Sequence, residues 1–519
     1  MNKTKTLLKA QIINFFPINE IKKRGNTQGS RIIVGLGVIT LTLFIGVYNT
    51  MIAKTLVRIG QQELIPAYMV SVSSFCILFI TIFYSNGILF GSKDIDMLLS
   101  LPVTNNEIIS SKFFLMYLLN FLITFLFMIP GGVIWLISIK ARVLQILFYF
   151  ISVLFVPLIP MCIATCMGIL IILVSSFFKN KNTISLIFSF VMFGFIGCIA
   201  VYSMQSGNNL NNIEFILAKQ ITAIYPLSKV FMKNSFFSLS VGMGFFIVIS
   251  MIVYYLFVKN VSLRYDLLIS LSKTTPKYSS HKKINKRSSP FIALYKKELG
   301  RYLNSYMVVL NTGLGIVLLI IFSLVLLVSS PQQISEYVKI QNINEVFSNY
   351  APVYIASMLI LSCPAASSIS LEGKNAWIMQ SSPISMDMIL KSKLAVNFTL
   401  HALGYIVSIF VFTIKVNMDM IQYIRLLIIP ICYSIFITVL GIALNKKYPN
   451  YGWNNEMIVV KQSVPVILSG VIGMIALATP VMIIWFFHVP IGITLWVTAF
   501  ILLVSAIIIY SKASKSKYI

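Results

Sequence analysis

Apolar residues in this chain run in long, almost unbroken blocks, without the alternation or three-to-four spacing of half-buried elements. The blocks lie near 32–53, 66–90, 113–139, 145–177, 183–203 and 237–258, and again near 306–329, 350–370, 394–415, 422–445, 464–487 and 490–510. Each is about as long as the roughly 20 residues a helix needs to cross about 30 Å of hydrocarbon. Backbone groups in hydrocarbon must be satisfied within the segment, so the blocks predict helices. The expected fold class is all-α: a polytopic membrane protein with about 12 transmembrane helices, arranged as two tandem six-helix halves. The block at 145–177 exceeds one span, and Pro157 and Pro160 predict a kink inside it.

Composition strengthens the membrane reading and removes a rival. Of the 519 residues 58% are apolar and only 11% charged, whereas a soluble chain carries about a quarter charged residues. The net charge of +27 does not indicate a nucleic-acid partner. Lys and Arg are nearly absent from the apolar blocks and gather in a few loops, which is the pattern that orients a chain in a bilayer. The N-terminal arm (Lys3, Lys5, Lys9, Lys22, Lys23, Arg24, Arg31) and the stretch 259–305 lead that bias. Placing them inside puts both termini in the cytoplasm. Three regions follow: 1–258, the first half with its cytoplasmic arm; 259–305, a basic cytoplasmic linker and connecting helix; and 306–519, the second half. Within the linker, the Ser- and Lys-rich stretch 271–290, with Lys282, Lys283, Lys286 and Arg287, reads as flexible, with binding of anionic lipid headgroups as the functional alternative. Met1 to Gln28 is polar and basic without an apolar core, so no cleaved signal peptide is expected. The six Cys fall in apolar blocks and form no metal-ligand spacing with the three His, so no metal or cofactor is expected. Cys162 and Cys166 share a helical face as packing residues.

Shifting the chain by 281 residues, which lays Lys112 on Lys393, superposes two loops. Ser100, Pro102, Ile108, Ser111 and Lys112 meet Ser381, Pro383, Ile389, Ser392 and Lys393. Both loops follow the second block of their half, and Lys93 meets Lys374 in the same register. This points to parallel internal repeats. Thr104 with Glu107 three residues on has the form of a capping box, so a short helix is expected from Asn105, presenting Ile108 and Ile109 and merging into the third span after Lys112. In the second loop Ser385 is the cap, Asp387 suits the positive helix end, and Ile389 and Leu390 take the apolar positions. Met388 replaces the capping glutamate there.

Three stretches carry a family resemblance. The first is Asp94-Ile-Asp96-Met-Leu-Leu-Ser-Leu-Pro102, followed by Ile108 and Ser111-Lys112. The second is Leu294-Tyr-Lys-Lys-Glu298-Leu-Gly-Arg301-Tyr302, just before the seventh block. The third is Pro449-Asn-Tyr-Gly-Trp453-Asn-Asn455-Glu456, ending in Lys461-Gln462. In these and in its overall plan the chain resembles the type-2 ABC exporter permeases, in a fused two-half bacterial form. The resemblance implies a multi-pass protein of the bacterial cytoplasmic membrane that exports a substrate the residues do not identify. It also implies two copies of a separate ABC ATPase subunit, docked on a coupling helix after the second span of each half. By position those contacts are Pro102, Thr104, Glu107, Ile108, Ile109 and Lys112, and Pro383, Ser385, Asp387, Ile389, Leu390 and Lys393. Asn375 and Trp377 stand where the first half has its Asp-x-Asp pair, and Leu8 to Phe16 lacks the acidic pattern seen at Glu298, so two unequal docking sites are expected. The chain has no G-x-x-x-x-G-K-[ST] loop, so it is not expected to be an enzyme, and ATP hydrolysis would belong to the partner.

Two other classes compete. A secondary, ion-coupled transporter shares the plan of two six-helix halves, but all fourteen Asp and Glu fall in loops or at span ends, where proton coupling gains little. A membrane-embedded enzyme needs a nucleophile, base or metal constellation, and His281 and His488 have no ligand neighbour in sequence. His401 lies four residues after Asn397, on the same helix face, and coincides with Asn120 under the 281-residue shift. Asn120, Asn397 and His401 are therefore candidates for a polar substrate path, with interhelical hydrogen bonding as the alternative.

Overall fold

The computed structural model describes residues 3–15, 45–90, 95–139, 143–178, 184–192, 221–273 apart from 223 and 233–235, 288–328, 343–453 and 456–515, together with 42, 194 and 331. Helices dominate these residues, and no strand occurs among them. Nine of the described helical stretches are long and apolar enough to cross a membrane, and a tenth crosses if one bent pair counts as a single span. The protein is an all-α, polytopic, membrane-embedded chain. The blocks expected near 32–53 and 183–203 fall only in part on described residues, which are helical over 45–58 and 184–192. Most of the 271–290 stretch, most of residues 204–236 and 330–349 between the apolar blocks, and Lys93 and Asp94 lie outside the described residues.

The described elements group into two compact units, with the change between Lys277 and Tyr278. The first contains α1 (Lys3–Phe15), α2 (Ile65–Leu89), α3 (Ile95–Ser100), α4 (Asn105–Ile139), α5 (Val143–Phe155), α6 (Leu158–Ser176), α7 (Phe236–Leu263) and α8 (Tyr265–Lys273). The long apolar block at 145–177 is broken as its prolines predict: α5 ends at Phe155, and Pro157 caps α6. The core of this unit gathers Met69, Met128, Trp135, Tyr149, Phe231 and Phe246. Gly131 and Gly132 let α4 receive its neighbours closely. A Cβ at Gly131 would stand 2.3 Å from Met69 Cε, and one at Gly132 would stand 2.4 Å from the Tyr149 ring. Lipid offers no hydrophobic drive between helices, so close backbone approach through small residues is what holds such a bundle. Tyr149 buries its ring and donates its hydroxyl to the Met128 carbonyl at 2.8 Å.

The second unit contains α9 (Pro290–Asn304), α10 (Tyr306–Thr312), α11 (Leu314–Val328), α12 (Ile343–Leu361), α13 (Ala376–Ser381), α14 (Met386–Lys415), α15 (Met420–Lys447), α16 (Val464–Phe487) and α17 (Ile491–Lys515). Its centre is α15, whose Ile429, Tyr433, Phe436, Ile437 and Leu440 pack with Ala356 and Ile360 of α12 and with Leu495, Ala499 and Leu502 of α17. The seventh block is bent by 58° between α10 and α11. Ser305 starts α10 by accepting from the Val308 N–H at 3.3 Å. Of the eighth block, α12 stops at Leu361 and the chain continues through short 3-10 turns at Pro364–Ala366 and Ser370–Asn375. In the second turn Gly373 has φ 58°, a left-handed conformation that L side chains rarely adopt. It also lies under Trp453, whose indole N–H donates to the Ser370 carbonyl at 2.7 Å.

Of the stretch 259–305, the described residues are therefore mostly helical: the end of α7 and α8 pack in the first unit, and α9 packs in the second.

Candidate functional site

The two loops matched at the 281-residue offset have the same local build. In the first, α3 (95–100) precedes α4, which starts at Asn105; in the second, α13 (376–381) precedes α14, which starts at Met386. The capping box forms: the Glu107 N–H donates to Thr104 Oγ1 at 3.3 Å, and Glu107 Oε2 accepts from the Thr104 N–H at 2.9 Å. Ser385 caps α14 by accepting from the Met388 N–H at 3.4 Å. Asp387, in the first turn of α14, binds Lys391 at 2.6 Å and accepts from Tyr510 at 2.6 Å. Each capped start merges into a long helix: α4 runs on to Ile139, as expected after Lys112, and α14 runs on to Lys415.

The apolar residues expected to face a partner do not lie at the surface of their own unit. Ile108, Ile109, Ile389 and Leu390 are all buried. Ile389 packs with Leu294 and Met379, and Leu390 packs with Ile369, Val439 and Ile442. The outward apolar face belongs instead to the preceding short helices. Met97 on α3 is 60% exposed and Trp377 on α13 is 63% exposed, with Leu99, Leu101 and Ile378 exposed beside them. Leu98 and Met379, which coincide under the 281-residue shift, are each 8% exposed and turn inward. The signal was present in the sequence as the apolar Met97-Leu-Leu and Trp377-Ile-Met runs just before each Pro. Pro102 and Pro383 are exposed between the helices, and the Pro102 carbonyl accepts from Lys3 of α1 at 2.7 Å.

The two matched lysines point inward and differ in what they meet. Lys112 Nζ donates to the Leu89 carbonyl at 2.8 Å and to Tyr265 of α8 at 3.1 Å. Lys393 Nζ reaches Glu372 Oε1 at 2.6 Å, Glu298 Oε2 at 3.0 Å and the Ser368 carbonyl at 3.1 Å. Arg301 joins the cluster through Glu298 at 2.5 Å and the Ser368 carbonyl at 2.8 Å. Two carboxylates and two cations thus neutralise one another under α9, pinning it to the 364–375 turns and to α14. Burial disfavours the charged form of Glu298, but Lys393 and Arg301 outweigh it and hold this carboxyl below its usual range. A small cavity of about 40 Å³ adjoins the cluster, lined by Glu298, Arg301, Ser305, Ser368, Lys393 and Glu456 among others. Glu298 Oε1 is buried with no hydrogen-bond partner among the described residues. Glu456 is held by the Ser305 hydroxyl. The sequence singled out Glu298 with Arg301 and, separately, Lys393, but not their meeting, because Glu298 and Lys393 lie 95 positions apart.

Asn120, Asn397 and His401 are buried and bonded within their units. Asn120 Oδ1 accepts from Tyr84 at 2.6 Å and Thr81 at 3.1 Å, which ties α4 to α2. Asn397 donates to Thr438 of α15 at 2.6 Å and accepts from the Ala365 N–H at 3.1 Å. His401 Nε2 lies 2.5 Å from the Ser362 carbonyl and Nδ1 lies 2.7 Å from Ser434 Oγ. That geometry suits a ring that donates from Nε2 and accepts at Nδ1. Thr81 and Ser362, the partners on the neighbouring helix, coincide under the same shift as Asn120 and His401. These contacts are the interhelical bonds expected of polar residues in a membrane bundle. Neither the cavity beside Glu298 nor the larger one beside Lys259 is lined by them. Among the described residues no group of three or more His, Cys, Asp or Glu is placed to hold a metal ion.

No protein-family model, no curated protein and no solved structure matches this chain.

Proposed function

We propose that the chain is the membrane-spanning permease of an ATP-driven ABC exporter, built as two tandem six-helix halves, with both termini in the bacterial cytoplasm and two separate ATPase subunits as partners. The observation that carries the proposal is the pair of short helices, α3 and α13, each set just before a capped membrane helix at one repeat register and each bearing an exposed apolar face. Further support comes from the resemblance of the stretches around Asp96, Glu298 and Trp453 to that family. The 281-residue correspondence, which extends from Lys112 and Lys393 to Thr81 and Ser362 and to Asn120 and His401, favours the two-half plan.

In this reading α3 and α13 are the docking elements, and the capped starts of α4 and α14 are the stiff levers behind them. A displacement of Met97 or Trp377 by a closing ATPase pair would pass through Leu98 or Met379 into a buried helix start, and from there along a helix that runs the depth of the membrane. The buried Ile389, packed on Met379, is the relay in the second unit. The capping box at Thr104 and Glu107, against the single cap at Ser385, suits two docking sites that are not equivalent. Purification from native membranes under mild detergent tests the proposal. The expected result is a co-purifying subunit with a phosphate-binding G-x-x-x-x-G-K-[ST] loop and vanadate-sensitive ATPase activity. Transport that proceeds on an ion gradient in ATP-depleted vesicles would overturn it.

That second outcome corresponds to the ion-coupled carrier, which one observation favours. Glu298 is a buried carboxylate lining a small cavity, with one oxygen left without a hydrogen-bond partner among the described residues.

A further inference from the structure

The first unit carries a second, larger recess that the docking reading does not use. It has a volume of about 490 Å³ and is lined by Thr4, Lys5 and Leu8 of α1, Asn106, Ser110 and Phe114 of α4, and Tyr254, Tyr255, Val258 and Lys259 of α7. Its size falls in the range of pockets that hold small ligands, about 300–1,000 Å³. Its position is set by the fold. The first turns of α4 and the last turns of α7, both membrane-crossing helices by length and composition, meet α1 at one face of the unit. The apolar blocks of these helices begin near 113 and end near 258, so the recess is expected at the level where hydrocarbon gives way to headgroups.

Its lining is divided in the same sense as a phospholipid. Lys5 and Lys259 are exposed at the rim, and neither has an acidic partner among the described residues. Thr4, Asn106 and Ser110 supply neutral donors between them, and Asn106 and Ser110 stand in the first turns of α4, where the helix dipole adds positive potential. On the other side Leu8, Phe114, Val258 and the two tyrosine rings form an apolar wall. Tyr255 is 65% exposed and Phe114 is 43% exposed, so this wall is open to acyl chains. The Tyr254 ring is braced from behind by Phe113, edge-on at 6.4 Å between centroids. Aromatic rings with cations beside them at a membrane interface are the arrangement that receives an anionic headgroup.

We propose that this recess binds an anionic phospholipid of the adjacent leaflet, the cytoplasmic one in the orientation given above. Lys5 and Lys259 hold the phosphate, Asn106 and Ser110 donate to the headgroup, and the chains lie against Phe114 and Tyr255. The lipid clamps α1, which the side-chain bonds Lys3 to Pro102 and Gln11 to Ser111 already tie to the α3–α4 region. Occupancy is thereby linked to the loop that carries Met97.

Native mass spectrometry of the purified full chain in an uncharged detergent tests this with short-chain phosphatidylglycerol, phosphatidylcholine of the same chains, and inorganic phosphate as competitor. Phosphatidylglycerol is expected to bind roughly 30-fold tighter than phosphatidylcholine, the preference two interfacial lysines give. Lys5→Gln with Lys259→Gln is expected to erase that preference, and the paired Lys→Arg changes to keep it. Equal phosphatidylglycerol binding by the Gln pair and the wild type would overturn the site. Displacement of the lipid by millimolar inorganic phosphate would overturn its assignment to lipid in favour of a soluble anion. Ser110→Phe, which fills the recess without removing charge, is a control against misfolding of the Gln pair: it is expected to lose phosphatidylglycerol binding, and retention would count against the site. The chain is tested alone, so the outcome is independent of whether an ATPase partner exists.

Discussion

Removing the ammonium of Lys393 leaves Glu298 and Glu372 sharing Arg301, with one carboxylate charge in excess inside the second unit. Breaking a buried ion cluster by deleting one partner costs about 3–5 kcal/mol, because the uncompensated charge remains buried. Lys393→Met is therefore expected to lower the thermal unfolding midpoint of the chain sharply. An unchanged midpoint in Lys393→Met would show that the charged cluster gives no special support. The same cluster sets a pH response. The folded-state pKa of Glu298 is depressed below its usual 4.5, so its contribution to stability is complete well above that value and is lost as pH falls through the lower folded value. Unfolding midpoints measured on acidification should fall in the wild type at pH values under 4.5 and fall less steeply in Glu298→Gln. This residue-scale chemistry was not legible beforehand. Glu298 and Lys393 are separated by 95 positions, and only folding shows that α9 lies on α14.

At the scale of elements, the sequence was informative where a local rule decides and silent where packing decides. The helix start at Asn105 and the cap at Ser385 follow from side-chain to backbone bonds within four residues, and both form as expected. The proline break at 155–158 and the span 464–487 were likewise visible in the pattern alone. Which apolar residues face outward at the repeated loops was not visible. Ile108 and Met97 are equally apolar, and only the tertiary packing buries the first and exposes the second. Two variant sets separate the roles. Met97→Ser with Leu99→Ser, or Trp377→Ser with Ile378→Ser, should change stability by no more than about 0.5 kcal/mol, as surface substitutions do, while abolishing co-purification of the ATPase. Ile109→Ala and Leu390→Ala should cost about 2–5 kcal/mol through the cavities they leave. Loss of the ATPase with unchanged stability in Leu390→Ala, and retention in the Met97 and Trp377 sets, would return the docking face to the capped helices.

Across the whole molecule, one offset links features of three kinds. At 281 residues the short helices α3 and α13, the inward lysines and the polar ties Thr81–Asn120 and Ser362–His401 fall into correspondence. A chance match between two loops explains the short helices and the lysines, but not the polar ties. A duplicated half would explain them together, and the proposed docking sites would then differ where the two loops differ, as in the capping box at Thr104 and the single cap at Ser385. The most direct measurement is site-specific photo-crosslinking in native membranes from positions 97 and 377, with the attached protein identified by mass spectrometry. One crosslinked subunit is expected from both positions, carrying a G-x-x-x-x-G-K-[ST] loop, with yields that change when ATP is trapped and that differ between the two sites. Crosslinks to lipid alone from both positions, in membranes where the chain still transports, would contradict it.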